Sequence, residues 1–375
     1  MHRIRRLIVD PMTAGLNKDQ WAKIKDDARR WWAGELGRPL IQVRLKGLPP
    51  ERSEPALSSH EFASLYPMSV PAEQIVDRWD YDLSTTMYLG DAFPHVCPNF
   101  GPGVIVAFLG AELINGPDTV WFHPKEDIPI TDLDFEFDAE NPWYLRCRDL
   151  VTTAMNRWQG SVQCALTDMG GNLDILSAFR PAEKLIYDLY DSPDHVKRLT
   201  WKAHELWWRY FEEFSALTEG INPGYSTWAT ILSEEPHYML QCDFCYMIGP
   251  VIFDEFVKPE LKATADRLVN AFYHLDGQGQ LTHLDSLLEI DSIKGIQWVP
   301  GAGAPDVLHW PEVYRKITAA GKKIHIASNM CERPFETLDV LLEQLGRVDH
   351  IVYNLDGDIS QCEQAERMLS KYDVI

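Results

Sequence analysis

The chain contains no apolar run close to the roughly 18–20 residues that a membrane-spanning helix requires. It has no Gly/Ser linker, no internal repeat and no low-complexity tract, so nothing divides it into tethered modules or a solenoid. No G-x-G-x-x-G lies between a strand-like and a helix-like run, which removes the phosphate turn of a dinucleotide-binding sheet. Positive charge is scarce: 35 Lys and Arg stand against 56 Asp and Glu, a net charge of −21 at pH 7. Such a surface repels phosphate backbones and anionic lipid, which argues against nucleic-acid and membrane partners. The opening residues MHRIRRLIVDPM are basic but hold only the short apolar patch Leu7–Val9, too little for the core of a signal peptide. The seven cysteines are odd in number and scattered, which fits reduced thiols in a cytoplasmic protein better than a disulfide framework.

What the chain does have is aromatic mass, with 13 Trp, 14 Tyr and 15 Phe, most of it expected in the core. The run TWKAHELWWRYFEEF places Trp201, Trp207, Trp208, Phe211 and Phe214 at helical spacing. A first helix is expected over Asp19–Trp32, ended by Gly34 and Gly37, and a strand over Pro39–Leu45. Residues up to about 150 are otherwise irregular and rich in proline, as in LPPERSEP and FPHVCPNFGPG. From Gly160 onward, β-branched apolar runs alternate with long amphipathic segments. Strands are expected at Val162–Thr167, Tyr225–Thr230, Met239–Asp243, Ala271–Leu275, Gly295–Val299, Lys323–Ala327 and His350–Tyr353. Helices are expected at Ala182–Leu189, His195–Leu217, Pro250–Asn270, Leu281–Leu288, Trp310–Ala320, Pro334–Leu345 and Ile359–Leu369.

With the early strand this makes eight, which predicts an α/β fold: one (β/α)8 TIM barrel domain over 1–375, with 1–150 as an N-terminal elaboration. Too few residues separate Thr230 from Met239 for a crossover helix, so Thr85–Leu89 is the alternative eighth strand. A doubly wound open sheet is the other architecture considered.

In a parallel barrel, reactive groups sit just past the C-terminal ends of the strands, where the loops converge. The polar residues at those ends include Asp168, Asp243, Tyr246, His274, Asp276, Gln278, Asn329 and Asp356, with Trp228 and Trp298 as pocket walls. His274 and Asp276 are two apart on one strand and so face the same way, able to address one ligand or metal. The following Gly277 and Gly279 let backbone approach that point closely. Cys242-x-x-Cys245 has no second pair, and residues three apart on a strand face opposite sides, so these read as buried thiols.

Three stretches resemble the uroporphyrinogen decarboxylase superfamily: CDFCYMIGPVIFDEFVKPELK, FYHLDGQGQLTHLDSLLEI and GRVDHIVYNLDGD. That superfamily contains the decarboxylase and zinc-dependent methyltransferases that act on corrinoid proteins or thiols. The resemblance implies a TIM barrel, a small-molecule substrate and a methyl partner that is a corrinoid protein or a pterin; a homodimer is compatible with it. The methyltransferases hold zinc through the His and Cys of His-x-Cys and a later Cys. The matching positions here are His274, Asp276 and the Leu355–Asp356 pair, so both thiolates are replaced. The decarboxylase's arginine-rich N-terminal motif is also absent, although Arg38, Arg44 and Arg52 lie in that region.

These readings lead to a methyltransferase- or demethylase-type enzyme. His274, Asp276, Asp168 and Asp243 are its expected catalytic groups, and Trp298, Trp228, Tyr246, Gln278 and Asn329 its expected substrate contacts. Zinc or another divalent metal is expected on His274, Asp276 and Asp356, with a preference for harder ions than a thiolate site has. Alternatively, Asp276 hydrogen-bonds an organic substrate and no ion binds. The other functions considered are a lyase decarboxylating an aromatic or pyrrole carboxylate, and a non-catalytic small-molecule-binding barrel.

Overall fold

The computed structural model describes residues 14–375; the opening basic segment with Leu7–Val9 lies outside them. The first helix, α1, is Lys18–Ala33. Asn17 caps it by accepting from the Gln20 N–H, Gln20 reciprocates in a capping box, and Gly34 ends it with a left-handed φ of 75°. In chain order the strands are β1 Leu40–Lys46, β2 Thr86–Gly90, β3 His95–Val96, β4 Glu112–Asn115, β5 Val120–His123, β6 Gln163–Cys164, β7 His237–Gln241, β8 Asn270–Asp276, β9 Ile293–Val299, β10 Lys323–Ala327 and β11 Ile351–Asp358.

Seven of them form one sheet in the order β2-β1-β11-β10-β9-β8-β7. All its pairs are parallel except β1–β2. Its parallel strands are nearly all buried and its connections are helical, as a sheet covered on both faces requires. The longest helix, Pro193–Thr218, carries the aromatic stripe read from the sequence and buries Trp207, Trp208, Phe211 and Phe214.

The hydrogen-bonded ladder among the described residues does not close into the expected (β/α)8 barrel. β3 and β6 form a separate parallel pair only two residues long, and β4–β5 is an antiparallel hairpin. Pro94 and Pro98 flank β3 and offer no N–H, which confines its ladder to His95 and Val96. The expected strand Tyr225–Thr230 is an irregular segment held by one Tyr225–Ser233 bridge, and Thr230 sits at a φ of 56°, incompatible with a strand. The alternative at Thr85–Leu89 is a strand, but it runs antiparallel to β1 at the sheet edge.

Strand alternation gives the face of the sheet that carries His274 an ordered composition. Leu40, Met239, Phe272 and Val352 form one apolar cluster on that face, and α1 covers it with Trp31. Two residues further along each strand lie Gln42, Gln241, His274, Gln297 and Asn354, with His325 beside them on β10. All of these but His274 are buried, so a belt of amides and imidazoles crosses the sheet just below the C-terminal strand ends.

Candidate active site

The belt orients His274. Its Nδ1 lies 2.5 Å from Gln297 Oε1, and Gln297 Nε2 lies 2.8 Å from His325 Nδ1. An amide oxygen only accepts and an amide nitrogen only donates, so His274 carries its proton on Nδ1 and His325 accepts at Nδ1. Nε2 of His325 lies 3.1 Å from the Asn354 amide, and burial pushes the His325 pKa down to about 3, which keeps the ring neutral. The lone pair of His274 Nε2 is thereby left to face Asp276, 3.8 Å away.

Asp276 ends β8, and burial raises its pKa, reinforced by Asp243 and opposed by His274. Asp243 arrives from β7: past Gln241 the chain turns at Cys242 into the short helix Asp243–Met247. The N–H groups of Asp243 and Phe244 each donate to the Asp174 carboxylate at 2.8 Å, which pins that turn. One ligand atom from each of Asp243, His274 and Asp276 lies within 4.8 Å of the other two.

Two further acids stand behind this trio. Asp168 accepts from the Gly170 N–H at 2.9 Å, and burial lifts its pKa to about 6, with Asp243 adding to the effect. Asp174, at the start of the helix Asn172–Phe179, is raised well above the carboxylate range by burial and by Asp243. Among the described residues, none of these four carboxylates forms an ion pair with Lys or Arg. The corner therefore holds its acids partly protonated or awaits a cation.

Two clefts flank the trio. One, of about 370 Å³, is lined by Asp243, Asp174, Gln241 and, from the β4–β5 hairpin, Trp121 and Phe122. The other, of about 580 Å³, is lined by Asp276, Val299, Asn329, Cys331 and Glu332. Trp228 stands edge-on to His274 with ring centroids 6.2 Å apart. Tyr246 lies over Gly277 and Gly279, where a Cβ would meet its ring at 3.0 and 2.8 Å, so these glycines are needed for its close approach. Gln278 is exposed on that same turn.

Two expected site residues are placed elsewhere. Trp298 is fully buried in the core and packs on Trp310, so it walls no pocket. Its neighbour Gln297 already faces His274, and adjacent strand residues face opposite ways. Asp356 is not the third member of the trio: β1 and β11 pair in register, and Arg44 grips it through Nε at 2.7 Å and Nη2 at 2.8 Å. Asp243 occupies the position expected for Asp356. Cys242 and Cys245 are both buried free thiols whose pKa values are raised by burial.

The residues that sequence reading missed are Asp174, His325, Gln42 and the hairpin that supplies Trp121. A signal for the belt existed. Each of LIQV, YMLQ, AFYHL, GIQWV, IHIA and IVYNL carries one Gln, His or Asn inside a run otherwise fit for burial.

The Asp168 carboxyl gives a pH test. Its folded pKa of about 6 exceeds its ordinary 3.8, so the folded state holds the proton more tightly. This contribution to stability is therefore greatest below about pH 4 and is lost as pH rises through 6. Asp168→Asn, which keeps the acceptor for Gly170, is expected to gain about 1–3 kcal/mol on the parent between pH 4 and pH 8. Urea unfolding of both proteins across that range measures it, and parallel profiles refute it.

No protein-family model and no curated protein matches this chain in sequence. Among solved structures, the chain is similar to a methyltransferase from Methanosarcina mazei, with a TM-score of 0.57 and 13% identity over 93% of this chain and 98% of that one. At that identity the likeness is one of fold: a methyltransferase-like α/β architecture spanning nearly the whole of both chains.

Proposed function

We propose that the chain is a methyltransferase- or demethylase-type enzyme that works on a small molecule at the C-terminal ends of β7 and β8, with a divalent ion on Asp243, His274 and Asp276. The observation that carries this reading is the trio itself, with its imidazole held in one tautomer by a buried amide. Ligands of one ion at bonds of about 2.0–2.2 Å lie about 3–3.5 Å apart, so modest rotation of the two carboxylates brings this set into range. One imidazole and two carboxylates suit zinc or a harder ion such as manganese. When bound, the ion would act as a Lewis acid toward the heteroatom that carries or receives the methyl group.

The chain's own groups complete the chemistry. Asp174 holds a proton near neutrality and can return it to the heteroatom released on demethylation, while Asp168, with a pKa of about 6, is largely ionised there. Gln297 keeps Nε2 of His274 free for the site, and Trp228 stands edge-on beside that ring. Four acids without a basic partner favour a neutral or cationic methyl donor over a carboxylate. A decarboxylase needs a cation to seat the carboxylate it removes, and the nearby Arg44 is taken by Asp356. The methyl acceptor remains a corrinoid protein or a pterin in this reading.

The test is to load the protein with zinc or manganese and mix it with labelled methylated amines, thioethers or methoxyarenes and free cob(I)alamin. Chelator-sensitive methylcobalamin formation is expected. Carbon dioxide release from aromatic acids without metal would replace this reading with the lyase, and ligand binding without turnover would replace it with a binding protein.

A further inference from the structure

The opposite end of the sheet carries a second cavity, of about 580 Å³, built where strands begin rather than end. Asn270 opens β8, Ile293 and Lys294 open β9, Lys322 and Lys323 precede and open β10, and His350 precedes β11. β8 spans seven residues between this cavity and Asp276, so the two sites are about 20 Å apart.

The charge here is the reverse of that of the molecule. In a chain with 56 acids and 35 bases, most described Lys and Arg residues find a carboxylate. Lys294, Lys322 and Lys323 have none within 4.0 Å among the described residues, and all three line this one cavity. Each uses a single ammonium hydrogen on a backbone carbonyl: Lys294 on Asp291 at 3.1 Å, Lys322 on Ile290 at 2.7 Å, Lys323 on Trp31 at 2.7 Å. An ammonium has three hydrogens, so each keeps donors in hand. Lys322 is buried, which makes an unpaired charge there unfavourable unless an anion visits. Of the two carboxylates on the wall, Asp349 is gripped by Arg347 at 2.7 and 2.6 Å and acts on Lys323 from beside it, while Asp291 acts on Lys322, so the wall keeps more cations than acids.

We propose that this cavity binds a phosphate group, free or as a small phosphomonoester, on Lys294, Lys322 and Lys323. A phosphate offers up to two negative charges and several acceptor oxygens, which ammonium groups lining one cavity match better than a carboxylate does. The cavity is far larger than phosphate alone, and Trp32 on its wall gives an organic body an apolar surface. Burial and Arg347 press the Lys323 pKa down to about 8, a strain that a bound anion relieves. The site is independent of the methyl-transfer reading and stands or falls separately from it.

The experiment is calorimetric titration of the full chain with inorganic phosphate and with glycerol 3-phosphate, with chloride at equal ionic strength as control. Saturable binding is expected, weakened about tenfold by Lys294→Gln and by Lys323→Gln. It should be unchanged in His274→Ala, which places the anion away from the strand C-termini. Tighter binding of glycerol 3-phosphate identifies a phosphomonoester as the ligand, and equal binding identifies free phosphate. Lys294 is exposed, so its variant should fold even if Lys323→Gln does not, and it decides the matter alone. Binding no stronger than that of chloride, or undiminished in Lys294→Gln, overturns the proposal.

Discussion

Replacing His274 by alanine is expected to lower the affinity for zinc or manganese by at least about 100-fold and to abolish any chelator-sensitive activity. The effect is large because the trio has no spare ligand. Asp243 and Asp276 would be left as two carboxylates sharing a corner with Asp168, and one of the group would take up a proton instead of an ion. Gln297→Leu should produce a graded version of the same loss, about 10–100-fold, without touching the ion. It removes the acceptor that fixes the proton on Nδ1 of His274 and leaves the buried His325 without its donor. Metal titration of the parent and both variants, with circular dichroism to confirm folding, measures the series. Equal weak binding in all three would end the metal assignment and leave the clefts as organic binding sites. A loss in His274→Ala with none in Gln297→Leu would mean that the amide belt does not position the imidazole.

Gly295→Ala is expected to destabilise the fold by about 3 kcal/mol or more. A Cβ at Gly295 would lie 2.1 Å from Phe272 Cζ, far inside contact distance. The ring cannot retreat: Phe272 is fully buried and packed by Trp31, Trp32 and His237 at centroid distances of 6.5, 5.6 and 6.3 Å. The collision sits at the Phe272–Gly295 pair, two residues below His274 and Gln297 on the same two strands, beside a register shift in the ladder. Loss of the fold and loss of the imidazole's orientation are thus expected together. Trimming the ring with Phe272→Leu in the Gly295→Ala background should recover part of the stability, a coupling that a mere loss of strand propensity would not show. Additive effects in the double variant, read by urea unfolding, would refute the steric explanation.

Several features could be read from the residues one strand or one helix at a time. The first helix and its end at Gly34, the aromatic face of Pro193–Thr218 and the parallel pairing of the strands ending near Leu275, Val299 and Ala327 all follow from local periodicity and helical connections. So does the shared orientation of His274 and Asp276, since a period of two fixes relative facing within one strand. The closure of the sheet could not be read this way. Whether His95–Val96 and Tyr225–Thr230 join a ladder depends on prolines that remove donors and on the left-handed Thr230, and these act only against neighbouring strands.

The identity of the third acid shows the limit most sharply. Asp243 and Asp356 both end parallel strands on the side where a site was expected, and nothing local ranks one above the other. The tertiary structure decides between them through register: Arg44 stands opposite Asp356 across β1 and β11 and claims it, while Asp174 receives two backbone N–H groups and turns Asp243 toward His274. Trp298 follows the same logic, because periodicity separates it from Gln297 but does not say which of the two faces the helices. The sequence by itself determined the α/β alternation, the helix faces and the His274–Asp276 pairing, all of which are short-range consequences of backbone geometry. Only the tertiary structure decided which charges are neutralised by a neighbour and which remain to meet a ligand, because ion pairing depends on strand register between residues some 300 positions apart in sequence, where local patterns carry no information.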